Sequence, residues 1–267
     1  MRQGPKRMFT KEYLRFLMAI LNEEGIRNVI LAGEIINKIF RRIEKMDLRG
    51  MKTKELDDLI HKFIIEHNGY PAFLNYRGFP RSSCISLNDE VVHGIPDDRV
   101  IKDGDLVKID IGVVYGGYIA DAARTYVSGT VSEDVLKFVK LTKEALKKGI
   151  EKAKPGNHVS DISQAIQELV EDNGYSVVRE LTGHGVGKTL HEEPMIPNFV
   201  SSGPDPELIP GMALAIEPMT NMGRYEVKTL TNGWTVSTRD GSLSCHFEDT
   251  IIILKKGSLN ATRVVEN

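Results

Sequence analysis

Cysteine is scarce: Cys84 and Cys245 are the only two in 267 residues, and they do not stand at Cys-x-x-Cys spacing. That excludes a disulfide scaffold and a thiolate-held zinc or cluster site, and it fits two reduced thiols in the cytoplasm. Long apolar runs are missing as well. Ile251 to Leu254 reads as a buried strand, far short of the roughly 18 residues of a membrane span. Neither sign of charge is in excess. A net charge of -2 and a pI near 6.4 argue against DNA or an anionic membrane as partner. Arg2, Lys6 and Arg7 are followed by Phe9, Thr10, Lys11 and Glu12 rather than by an apolar stretch, so no signal peptide is expected. No Gly/Ser/Pro-rich linker divides the chain, and Ser201 to Pro206 reads as a surface loop. The expected organisation is a short extension, 1–9, and a single domain, 10–267.

What is present is ordinary globular composition, 41% hydrophobic and 27% charged, with strong helical periodicity. Thr10 is placed to cap a helix carrying Tyr13, Leu14, Leu17, Ile20 and Leu21 on one face and ending before Gly25. Apolar residues at three-and-four spacing predict a second helix from Ile26 to Ile43, and Thr53 would cap a third that stops at Asn68-Gly69. The pattern then returns. A helix ends at Pro155-Gly156, another at Asn173-Gly174, and Gly50 to Tyr70 answers Gly156 to Tyr175 at an offset of about 105 residues. Gly104 precedes Asp110 by six residues as Gly211 precedes Glu217, so each half delivers one carboxylate from a turn and strand.

Asp110 and Asp121 flank Gly116-Gly117, a two-residue hairpin turn between β-rich runs. If 116 and 117 form the turn, 112 faces 121 and 110 faces 123, so both aspartates share one face at a diagonal. Two buried like charges need a cation or a proton between them; the plainer reading leaves both in solvent. His184 lies in Thr182-Gly183-His184-Gly185-Val186-Gly187, seven residues before His191 and Glu192-Glu193-Pro194. This is expected to be a loop whose glycines let backbone approach a ligand; a phosphate loop or a simple turn are the alternatives. Glu217, before Pro218, would project from a strand end, and Glu248 would face opposite Phe247 ahead of a buried strand. Taken together these are oxygen donors with one imidazole and no thiolate, a set suited to a pair of Mn, Co, Fe or Zn ions.

The order Asp110, Asp121, Gly183-His184-Gly185, His191-Glu192-Glu193-Pro194, Ile216-Glu217-Pro218-Met219 and Glu248 resembles the ligand signature of the pita-bread metallopeptidases. Asn88-Asp89-Glu90-Val91-Val92-His93-Gly94-Ile95-Pro96 and Gly233-Trp234-Thr235 are similar to the type I methionine aminopeptidases in particular, and the resemblance is closest from about Met51 to Ile253. It implies an α+β fold of two pseudo-symmetric halves around a curved antiparallel sheet flanked by helices. It implies removal of initiator methionine ahead of a small second residue, with two divalent ions, Co, Mn, Fe or Zn. Asp121 and Glu248 would bridge the ions, Asp110 would complete one sphere, and His184 with Glu217 the other. Glu217 would also shuttle a proton, His191 would bind the carbonyl oxygen, and His93 would contact the backbone after methionine. Phe73, Tyr76, Phe79, Cys84, Leu190 and Trp234 map onto the methionine pocket. The partners implied are nascent N-termini, with transient ribosome contact, neither DNA nor membrane, and a monomer.

Some positions depart from the commonest family forms. Leu190 stands where an aromatic is frequent, Phe79 where tyrosine is common, and Asn232 where aspartate often precedes Gly-Trp, so a looser pocket edge is expected. His246, two before Glu248 where an uncharged amide is often seen, offers a partner behind the ligands or a pH-sensitive group. Two other readings stay open here. A proline-specific peptidase of the same superfamily usually carries a further N-terminal domain, for which this chain leaves no room. A catalytically dead binding module generally loses ligands, and here all five are kept.

Overall fold

A computed structural model describes residues 20–263. The extension 1–9 and nearly all of the helix expected from Thr10 lie outside the described residues. The break expected at Gly25 falls earlier, because Asn22 caps helix α1, Glu23–Ile43, with its Oδ1 accepting the Gly25 N–H at 2.8 Å. Glu23 and Glu24 in the first turn and Arg41 and Arg42 in the last complement the helix dipole. Helix α2 is Thr53–Glu66, and its cap is Lys52, not Thr53. The Thr53 hydroxyl is used elsewhere: it accepts the Asp97 N–H at 2.9 Å and pins a distant loop to the helix start. Helices α3, Glu133–Lys152, and α4, Val159–Asp172, follow as the repeat predicts, with Ser132 capping α3.

Each helix pair covers its own core. α1 and α2 bury Val29, Ile36, Phe40, Leu56 and Ile60 against the hairpin of strands Leu106–Tyr115 and Tyr118–Val127. α3 and α4 bury Phe138, Leu146, Ile162 and Ile166 against strands Ala213–Ile216 and Asp249–Ile253. A short strand leaves each pair, Tyr70–Pro71 and Ser176–Val177. Gly104 (φ 87°) and Gly211 (φ 98°) make the same left-handed turn before the carboxylate-bearing strands. The halves are therefore two versions of one unit.

All pairings among the described strands are antiparallel and are distributed over four hydrogen-bonded sheets. The Gly116-Gly117 turn sets the hairpin register, with Gly112 opposite Asp121 and Asp110 opposite Ala123. In the second half the sheet runs Ser258–Asn260, Asp249–Ile253, Ala213–Ile216, Thr182–Gly185 and Glu192–Pro197. The two halves meet backbone to backbone at the chemically important residues. Glu248 N–H donates to the Ala123 carbonyl at 3.0 Å, and the Thr250 hydroxyl bonds both the N–H and the carbonyl of Asp121 at 2.8 Å. Beside them Arg124 pairs with Asp249 at 2.6 Å and donates to the Thr262 carbonyl. Among the described residues no helix is long and apolar enough to cross a membrane.

Candidate metal centre

His184 sits on the strand Thr182–Gly185, not in the loop expected for it. Its flanking glycines serve strand packing: a Cβ at Gly183 would lie 2.4 Å from the Ala215 carbonyl oxygen, and one at Gly185 would lie 2.4 Å from that of Glu193. The close approach they permit is to neighbouring strands, which brings the imidazole beside Glu217 at the end of Ala213–Ile216. Glu248 occupies the break between strands Ser244–His246 and Asp249–Ile253. Asp110 faces Cys84 across the sheet.

A cavity of about 360 Å³ opens over these side chains. It is lined by Asp110, Asp121, His184, Glu217 and Glu248, by His93 and His191, and by Phe73, Tyr76, Phe79, Cys84, Leu190 and Trp234. Every site residue expected from the sequence is thus in one place. Arg77 and Met195 line it too and were not expected. Met195 pairs with His184 across neighbouring strands, and Arg77 reaches the cavity from a left-handed turn (φ 48°).

The floor of the cavity concentrates negative charge. Asp121 and Glu248 are buried, and Asp110 and Glu217 are each only 9% exposed. Among the described residues the ion-pair contacts made by these four are to histidines, His184 and His246, each lying against Glu217. Burial pushes all four carboxyls up, Asp121 to about 7, and their mutual repulsion adds to it for Asp110, Glu217 and Glu248. One oxygen each of Asp110 and Asp121 is buried without a hydrogen-bond partner. Such a cluster must take up protons or a cation.

The geometry favours a cation. One ligand atom each from Asp121, His184 and Glu248 lies within 4.8 Å of the others, and the same holds for Glu217, His246 and Glu248. Asp110 joins neither triad at that spacing, though it lines the same cavity. His184 meets the requirement for a nitrogen ligand. Burial lowers its pKa to about 3, so the ring is neutral, and Nδ1–H donates to the Gly185 carbonyl at 2.9 Å. Nε2 is left with a free lone pair 3.6 Å from Glu217 Oε1. Hard oxygens with borderline imidazole suit divalent ions of the Mn to Zn series.

The other two histidines stand apart from this arrangement. His191 Nδ1 is 2.8 Å from the Tyr76 hydroxyl, and its ring lies 4.3 Å from that of His184. His93 is half-buried at φ 58°, in the left-handed region that non-glycine residues rarely enter. Its carbonyl accepts from Thr235 Oγ1 at 3.3 Å, and the next residue, Gly94, is held by the Ser86 hydroxyl at 2.9 Å. Strain of this kind, on the order of 1 kcal/mol or more, persists where surroundings over-determine it and is common at functional sites.

Phe79 and Trp234 meet edge to face at 5.2 Å on the apolar side, with Phe73, Cys84 and Leu190 buried beside them. Burial pushes the Cys84 thiol up, so it acts as a small apolar wall. Asn232, before Gly233-Trp234, is tied into its turn. Its Oδ1 accepts from Trp234 and Thr235 N–H at 3.0 and 2.9 Å, and its amide donates to the Thr235 hydroxyl at 2.8 Å.

The sequence profile described as metallopeptidase family M24 matches residues 27–255. The chain is 47% identical over 242 residues to a methionine aminopeptidase of Clostridium acetobutylicum, covering 90% of this chain and 97% of that one. It is 48% identical over 233 residues to methionine aminopeptidase 1 of Bacillus subtilis, covering 87% and 94%. The crystal structure of methionine aminopeptidase from Thermotoga maritima superposes with a TM-score of 0.89 at 39% identity, over 92% of this chain and 99% of that one.

Proposed function

The chain belongs to metallopeptidase family M24, and from its place among the methionine aminopeptidases we propose that it removes initiator methionine from polypeptides whose second residue is small. The observation that carries this is one cavity holding both a buried carboxylate–imidazole cluster and an aromatic, thiol-lined apolar wall. A proline-specific reading accounts for the cluster but gives that wall no task.

In this reading Asp110, Asp121, His184, Glu217 and Glu248 would hold two divalent ions of the Co, Mn, Fe or Zn group. When bound, the ions supply Lewis acidity and a lowered pKa for the attacking water. The apolar wall takes the methionine side chain by area burial and sulfur–aromatic contact, and excludes water from around it. A Glu217 carboxylate oxygen accepts the proton of the attacking water and returns it to the leaving amine nitrogen. Tyr76, donating its O–H to His191 Nδ1, leaves a proton on Nε2, which hydrogen-bonds the substrate carbonyl oxygen as charge develops there. His93, its backbone clamped, contacts the main chain after methionine and crowds the second side chain.

The enzyme is proposed to act in the cytoplasm as a monomer on N-termini of nascent proteins, in transient contact with the ribosome. Release of methionine from Met-Gly and Met-Arg peptides by the metal-loaded enzyme tests the substrate scope. Rapid turnover of Met-Gly and little of Met-Arg is expected; equal turnover would contradict the role of His93.

A further inference from the structure

His246 lies beside Glu217, outside the residues that line the cavity, and has no task in the account above. It is 1% exposed, and neither ring nitrogen has a hydrogen-bond partner among the described residues. A buried imidazole carries one donor and one acceptor, and leaving both unmade costs the full desolvation of each group. Native interiors rarely tolerate that without a ligand or ion to receive the group. The ring is also aimed. Nε2 lies 3.3 Å from Glu217 Oε2, without hydrogen-bond alignment, and Glu217, His246 and Glu248 bring ligand atoms within 4.8 Å of one another.

This spacing matches that of Asp121, His184 and Glu248, and Glu248 is common to the two triads. His184 and His246 therefore each bring a ligand atom within 4.8 Å of Glu248, and each also lies against Glu217.

We propose that His246 is a sixth protein ligand of the metal centre, binding one ion through Nε2 beside Glu217 and Glu248, so that the centre carries two imidazoles rather than one. The inference rests on the two-ion reading of the site. Adding a nitrogen donor shifts the centre toward borderline ions such as Co and Zn and away from Mn, in the order that nitrogen ligation follows. His246 acts at the ion and need not touch the peptide.

The direct test is NMR of the ¹⁵N-histidine-labelled protein loaded with ¹¹³Cd, in which through-bond ¹¹³Cd–¹⁵N splitting marks a coordinated nitrogen. Two split Nε2 signals are expected in the unmodified protein and one in His246→Gln, whose cobalt affinity by calorimetry should fall on the order of 10-fold or more. One split signal in the unmodified protein, removed by His184→Ala, would overturn the proposal and leave the two-ion reading intact. No splitting at any histidine, together with no methionine release from Met-Gly peptides, would overturn both. The unmodified spectrum decides even if His246→Gln fails to fold.

Discussion

His184, His191 and His93 share one cavity but differ in what holds their rings and backbones, and that difference separates their proposed roles. His184 spends Nδ1 on the Gly185 carbonyl and turns Nε2 toward Glu217, whereas His191 uses Nδ1 on Tyr76 and meets no carboxylate of the cluster among its contacts. His184→Ala should therefore lower metal content, with activity only partly restored by added metal. His93→Ala and His191→Ala should keep metal content and lose turnover. For His191→Ala the loss should be on the order of 10² in kcat, about 2.7 kcal/mol, with little change in KM. Metal stoichiometry beside steady-state kinetics checks all three; loss of metal from His191→Ala would mean that the assignment is wrong. The residue types were legible from the sequence because glycine and proline context isolated them. The left-handed backbone of His93 was not, since no local propensity marks it and only the clamp from Thr235, Ser86 and Ile85 maintains it.

At the scale of elements, the site depends on the seam where the hairpin meets the strand Asp249–Ile253. Hairpin register was readable because a Gly-Gly turn allows one pairing, and that pairing fixed which face both aspartates occupy. The seam was not readable, because the Thr250 contact with Asp121 spans 129 residues and leaves no periodic trace. The same applies to Met195 and Arg77, which reach the cavity by tertiary packing. The strand under His184 was hidden for another reason: glycines depress strand propensity, and here they are required by backbone contact on both sides. Thr250→Val keeps the shape of the side chain but strips Asp121 of partners for its buried N–H and carbonyl. Urea denaturation should show a loss of roughly 1–3 kcal/mol or more, together with weaker metal binding. An unchanged midpoint would show that the seam does not hold the ligand in place.

Across the whole molecule, duplication explains why a buried anionic centre is placed between two cores: each half contributes carboxylates to a shared interface, and neither half can neutralise them alone. That arrangement gives the metal-free protein a characteristic pH response. Asp121, at about 7 in the fold against an ordinary 3.8, and the likewise raised Asp110, Glu217 and Glu248 hold protons that the unfolded chain has lost. Their contribution is full at low pH and is lost as pH rises through the folded values. His93, His184 and His246, lowered to about 4, 3 and 3 from 6.5, work in the opposite sense, losing stability as pH falls below 6.5. The two trends oppose each other between about 4 and 6.5, and of these groups only the carboxyls still change between 6.5 and 8. The metal-free protein should lose Tm from pH 6.5 to 8 while the metal-loaded protein holds steady; parallel curves would contradict the buried-cluster account. The central claim, that a divalent-metal cluster in this cavity removes methionine from a peptide N-terminus, is tested most directly by mass spectrometry of a Met-Gly peptide incubated with chelator-treated protein before and after addition of Co or Mn. Loss of the N-terminal methionine only after metal is restored is the predicted result, and release that is indifferent to chelation, or absent with metal present, would contradict it.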